Sequence, residues 1–203
     1  MGKTVEFFYD FSSPYAYLGH EEIGRVASAH GANVVWRPFL LGGLFKNLNV
    51  AQAPILGSSQ NKKSVLMADM HRYAELRHLP FGWPEAFPLN TVRPLRVMVQ
   101  LTGEVHKAVA SELFRLYWGS DINIADANLL AATLNRHGLD GAALVAATET
   151  PEVKQLLIDA SQEAFARGMC GAPSFFVGDQ LVWGQDRFDF VGRLLDGWVP
   201  KAA

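Results

Sequence analysis

Apolar positions in this chain follow two rhythms. Near the two ends they form short runs rich in aromatic and β-branched residues, Val5-Glu6-Phe7-Phe8-Tyr9, Val34-Val35-Trp36 and Phe175-Phe176-Val177, bounded by glycine, proline or polar residues as strands are. From Leu40 to about Gly168 these runs disappear. Apolar residues there recur at helical spacing, punctuated by Pro80, Pro84, Pro88, Pro94, Gly103, Gly138 and Pro151. The pattern predicts a sheet built from both ends of the chain, with helices inserted between them.

Boundary residues sharpen the elements. The first strand breaks at Asp10-Phe11-Ser12-Ser13-Pro14-Tyr15, and a helix is expected to run to His30-Gly31, with Ser13 as N-cap and Pro14 at the first helical position. Asn33 to Arg37 reads as a second strand ended by Pro38, completing a βαβ unit with a right-handed crossover and parallel pairing. The clearest inserted helix starts at Thr150-Pro151 and places Val153, Leu156, Leu157, Ala160 and Ala164 on one packed face. After Gly171-Ala172-Pro173 come a strand, Ser174 to Val177, a two-residue Gly178-Asp179 turn, and a strand, Gln180 to Trp183. Gly184-Gln185-Asp186 then opens a last helix to about Leu195. The expectation is an α/β fold: a βαβ–ββα sheet domain formed by residues 1–40 and 169–203, interrupted by an all-helical insertion domain, 41–168.

Composition narrows the function. With 203 residues, 49% hydrophobic and 19% charged, and a net charge of -2, the chain suits a globular enzyme and carries no basic signature of nucleic-acid binding. No apolar run is long enough to span a membrane, and Glu6 and Asp10 interrupt the apolar start, so a soluble, cytoplasmic protein is expected. The single cysteine, Cys170, excludes an internal disulfide, a Cys-x-x-Cys pair and a cysteine-rich metal site. We read it as a small buried structural residue. The six histidines show no metal-ligand spacing, and surface or capping roles are expected for all of them.

Several residues carry candidate chemistry beside a plainer reading. Ser13 is an ordinary N-cap on the Ser-Pro pattern alone, but a hydroxyl at a helix N-terminus also stabilises a docked anion such as a ligand thiolate. The sequence lacks Gly-x-Ser-x-Gly, which argues against a hydrolase nucleophile. Ala172-Pro173 before a strand is a common turn; with a cis bond, it would present the Ala172 backbone to an extended peptide. Asp186 reads as an N-cap, yet with Gln185 it also offers groups for an amino-acid head group. Lys46, Lys62 and Lys63 follow the second strand and could meet a substrate carboxylate. The strand-to-helix turn at Ser13, paired with Ala172-Pro173, resembles a thioredoxin-like active site with serine in place of cysteine.

The segments Phe8 to Leu18, Arg37-Pro38, Leu40 to Lys46, Gly171-Ala172-Pro173 and Trp183-Gly184-Gln185-Asp186-Arg187 together resemble the 2-hydroxychromene-2-carboxylate isomerases, which belong with the kappa-class glutathione transferases. The resemblance runs over nearly the whole chain and implies glutathione as cofactor. It matches Ser13 to the residue that favours the glutathione thiolate, and Ala172 and Pro173 to the cysteinyl contact. Gln185 and Asp186 match the γ-glutamyl contacts, Lys63 and Asn49 further glutathione contacts, and Lys46 the lysine that meets the substrate carboxylate. The implied reaction converts 2-hydroxychromene-2-carboxylate to trans-o-hydroxybenzylidenepyruvate in naphthalene-type catabolism, by reversible thiolate addition in a homodimer. Lowering a thiol pKa of about 8.5 by one to two units corresponds to about 1.4 to 2.7 kcal/mol. A kappa-type transferase or peroxidase acting on other electrophiles, and a glutathione-binding module without catalysis, are the alternatives.

Overall fold

Strand β1 (Lys3–Tyr9) pairs in parallel with β2 (Ala32–Pro38) on one side and antiparallel with β3 (Ser174–Val177) on the other, and β4 (Gln180–Trp183) completes the order β2-β1-β3-β4. This computed structural model describes residues 2–51 and 53–201. Phe7 lies opposite Trp36 in β2 and Phe175 in β3, so the alternation of β1 commits its aromatic side chains to both faces of the sheet. Phe7, Tyr9, Trp36 and Phe175 pack on one face, where Phe188 covers Phe175 with ring centroids 5.2 Å apart. Phe8 and Phe176 occupy the other, beneath the Arg167 guanidinium, 3.6 Å from the Phe176 ring centre.

All elements between β2 and β3 are helices. They are α3 (Leu41–Asn47), α4 (Gln60–Leu76), α5 (Val92–Met98), α6 (Gly103–Ser120), α7 (Ala127–Arg136), α8 (Gly141–Ala147) and α9 (Pro151–Ala166). Their starts follow local chemistry: Ser59, Asp126, Asp140 and Thr150 each accept a hydrogen bond from the backbone three residues later. The α/β architecture expected from the two apolar rhythms is present, and β1 to β2 is the parallel βαβ unit.

Three expectations change. The helix expected from Ser13 to Gly31 is two, α1 (Pro14–Gly19) and α2 (Glu22–Ala29). His20 N–H bonds Tyr17 O, tightening the last turn of α1. Gly19 sits so close to Gln185 and Phe188 that an added Cβ would lie 3.3 and 3.4 Å from them. The last helix, α10 (Phe188–Leu195), starts later than expected; Arg187 holds its N-cap position and Asp186 does not cap it. In α9, Val153, Leu157 and Ala164 are buried, but Leu156 is 48% exposed, because the helix packs along a narrower stripe than its apolar residues suggest.

Candidate functional site

The turn between β1 and α1 is built on Asp10. Its buried carboxylate accepts from Ser12 N–H at 2.9 Å, Leu41 N–H at 2.8 Å and Thr91 Oγ at 2.7 Å, joining the turn to the starts of α3 and α5. Burial pushes this carboxyl above its ordinary value, and the three donors pull against that shift. Ser13 follows, 4% exposed. Its Oγ accepts from Ala16 N–H at 3.1 Å, so the capping role is real, and donates to Ala172 O at 2.8 Å. Among the described residues, the N–H groups of Tyr15 and Ala172 donate no hydrogen bond. Ser13 therefore stands beside two unused backbone donors, one from each end of the chain. Helix α1 is only six residues long, so these direct donors outweigh its dipole.

The second wall is the segment after β4. Ala172-Pro173 is cis, as is Phe87-Pro88. Gly184 N–H bonds Pro173 O at 3.0 Å and tethers the following loop to this turn. Gly184 has φ +107°, a backbone conformation that side chains with a Cβ rarely adopt, so the turn favours glycine. Gln185 is buried; its carboxamide oxygen accepts from Arg77, whose Nη2 also donates to Gln185 O at 2.8 Å. Asp186 is exposed beside it, with Arg187 at 3.9 Å. Tyr15, half-buried on α1, has its hydroxyl pKa raised by burial and by the carboxylates of Asp69 and Asp186.

Ser13, Ala172, Pro173, Gln185 and Asp186 are thus brought together around α1 and the Pro173 turn. Lys46 is exposed in the last turn of α3, and Lys62 and Lys63 lie in the first turn of α4, which packs on α1. Asn49 has φ 54°, with its N–H bonding Lys46 O and Val50 N–H bonding Phe45 O at 2.9 Å. That pair of bonds is a Schellman cap, in which asparagine is favoured for backbone reasons alone.

Two readings are corrected. His20 and His106 are buried, not superficial: His106 bonds Tyr9 Oη at 2.8 Å and Leu101 O at 2.9 Å, whereas His20 bonds Tyr17 O and leaves Nε2 without a hydrogen bond. Tyr9 on β1 draws the His106 ring inside, and His20, which holds the C-cap position of α1, is covered by Phe114 with ring centroids 5.2 Å apart. Cys170 is exposed between the buried Met169 and Gly171, and partial burial raises its thiol pKa. No group of three or more metal-binding side chains occurs among the described residues, and no described helix is long and apolar enough to cross a membrane. A cavity of about 760 Å³ runs along β2, lined by Val35, Trp36, Thr102 and Leu156, and does not touch the Ser13 cleft.

Sequence reasoning missed Asp10, Thr91 and Arg77. Asp10 directly before Phe11-Ser12-Ser13 was the available signal, since a strand-ending acid commonly caps a turn. Arg77 had none, being an ordinary residue at the end of a helix.

The chain matches the DSBA-like thioredoxin domain over residues 4–196. It is 29% identical to a 2-hydroxychromene-2-carboxylate isomerase of Sphingobium xenophagum, covering 96% of this chain and 99% of that protein. It is also 29% identical to glutathione S-transferase kappa 2 of Caenorhabditis elegans, covering 95% and 92%. Among solved structures, a selenomethionine 2-hydroxychromene-2-carboxylate isomerase superposes with a TM-score of 0.84 at 23% identity, over 96% of this chain and 95% of that one.

Proposed function

Because the chain belongs to the DSBA-like thioredoxin domain family, we propose that it is a glutathione-dependent isomerase that converts 2-hydroxychromene-2-carboxylate to trans-o-hydroxybenzylidenepyruvate. The carrying observation is the buried Ser13 hydroxyl, hydrogen-bonded to Ala172 O across the two ends of the chain and flanked by the unused N–H groups of Tyr15 and Ala172. The single cysteine supports the reading, since it excludes dithiol chemistry within the chain. Isomerase and kappa-transferase relatives at equal identity agree with a thiol-holding site.

The residues fit a γ-glutamyl tripeptide thiol. Ala172 N–H suits pairing with the cysteinyl unit, and the exposed Asp186 carboxylate suits the γ-glutamyl ammonium, with Gln185 beside it. Lys63 and Asn49 supply further contacts, and Lys46 receives the substrate carboxylate. In this reading residues 1–40 and 169–203 hold most of the cofactor, and the insertion 41–168 adds Asn49 and Lys63 to it and holds the acid through Lys46.

Once the chromene ring C–O bond has opened to the phenol and the conjugated keto acid, glutathione would supply the sulfur for a reversible addition, during which the former double bond is single and can rotate. Ser13 has one proton, and at rest Ala172 O holds it. Turning that proton to a sulfur anion exchanges a neutral hydrogen bond of about 1 kcal/mol for a charged one of about 1.5 to 3 kcal/mol. The net gain, about 1 kcal/mol, lowers a thiol pKa by roughly 0.7 unit. Tyr15 N–H and the end of α1 add about 0.3 to 1 kcal/mol, which brings the shift to about one unit.

Conversion of the chromene acid with and without glutathione tests the reading. Turnover only with glutathione is expected; turnover independent of it, or none, overturns the proposal. A transferase acting on other electrophiles uses the same thiol contacts. The kappa relative favours it equally by identity, and conjugation of an aryl halide faster than isomerisation would select it.

A further inference from the structure

Arg77 ends α4 as its C-cap, yet its guanidinium turns inward. Nη1 donates to Leu18 O at 2.8 Å and to the Gln185 carboxamide oxygen, and Nη2 donates to Gln185 O at 2.8 Å. The group is stacked between Tyr73 and Phe188, 4.8 and 5.4 Å from their ring centres. One side chain thus ties together α1, α4 and the loop before α10. Among the described residues it makes no ion pair within 4 Å. A buried cation without a direct counter-ion is costly, and a methionine would fill the space between the two rings without that cost.

The chemistry of Gln185 accounts for the charge. A carboxamide presents an acceptor on one side and a donor on the other, and which is which depends on its partners. Arg77 has donors only, so it holds the Gln185 oxygen inward and presents the Nε2 donor away from itself. Beside Asp186, this gives the loop a donor for a carboxylate and a carboxylate for an ammonium. Those are the two charged ends of an α-amino acid. The guanidinium behind the loop adds positive potential for the carboxylate.

We propose that Arg77 is a positioning residue that makes the thiol site selective for γ-glutamyl thiols, by fixing the orientation of Gln185 and the path of the Gln185-Asp186 loop against α1. The proposal rests on the glutathione reading above. It gives Arg77 no contact with sulfur or the reacting carbons.

Calorimetric titration with glutathione and with the dipeptide Cys-Gly, which lacks the γ-glutamyl unit, separates the two ideas. The wild type binds glutathione more tightly than Cys-Gly; a wild type that binds neither overturns the thiol-site reading and this proposal with it. In Arg77→Met the glutathione Kd rises about tenfold, the size of one well-placed charge-assisted hydrogen bond, while the Cys-Gly Kd stays within about twofold. Arg77→Lys keeps the charge but loses the fork, so its glutathione Kd falls between the two. Melting curves accompany each variant. If Arg77→Met does not fold, the same two-ligand comparison on Arg77→Lys decides. Equal weakening of both ligands, or unchanged glutathione binding in a folded variant, overturns the role of Arg77.

Discussion

The hydroxyl of Ser13 donates its only proton to the carbonyl oxygen of Ala172, 2.8 Å away and 159 residues later in the chain. This bond closes the cleft from both ends of the sequence, and its oxygen also caps α1 through Ala16 N–H. Ser13→Ala removes both interactions. The expected cost is about 1 to 2 kcal/mol, the range for a lost N-cap with a carbonyl left short of a donor. Urea denaturation of wild type and variant measures it, and a change below about 0.3 kcal/mol would show that neither bond matters for stability.

Asn49 separates backbone from contact. Glycine adopts φ near +54° without strain, so Asn49→Gly keeps the Schellman cap and deletes only the carboxamide. Stability is expected to stay within about 0.5 kcal/mol. If Asn49 touches glutathione, the Kd rises several-fold in the same protein. An unchanged Kd would leave the asparagine as a turn residue alone.

Thr91 supports the turn from a distance. Its hydroxyl donates to Asp10, whose carboxylate is completely buried and accepts three bonds in all. Thr91→Val keeps the shape and deletes one donor to a buried acid, for an expected loss of about 2 kcal/mol. Thr91→Ser restores the hydroxyl and most of that stability. Equal stability of the valine and serine variants in chemical denaturation would contradict this.

Acid sensitivity follows from His20. Burial lowers its pKa to about 4, against the ordinary 6.5 in the unfolded chain. Between those values the unfolded chain binds more protons, so His20's contribution is complete above pH 6.5 and is lost as pH falls towards 4. The full difference is worth roughly 3 kcal/mol. His106, lowered by burial, acts in the same direction, while Asp10, raised by burial, opposes it. The difference between wild type and His20→Asn isolates the ring. Denaturation midpoints from pH 7 to pH 4.5 are expected to fall more steeply in the wild type, and parallel profiles would rule His20 out.

The sequence showed most clearly what neighbouring residues decide. Thr150-Pro151 and Ser13-Pro14 start their helices where their capping chemistry says, and Gly178-Asp179 turns β3 into β4 with Val177 opposite Gln180. What escaped depends on contacts across the chain. The break at His20-Glu21 arises where Gly19 meets Gln185 and Phe188, and no local pattern encodes that approach. Arg77 reaches Gln185 from 108 residues away and carries no motif. The burial of His106 depends on Tyr9, 97 residues away. In the candidate site, the position of Ser13 was legible, but the partner of its proton was not.

That partner sets the most direct test. Ultraviolet absorbance of the thiolate, titrated against pH with glutathione bound to wild type and to Ser13→Ala, reads the pKa that the cleft is proposed to set. A value about one unit below the ordinary thiol value of about 8.5 is expected in the wild type, with most of the shift lost in the variant. A thiol unshifted in the wild type, or equally shifted in both proteins, would contradict the role assigned to Ser13.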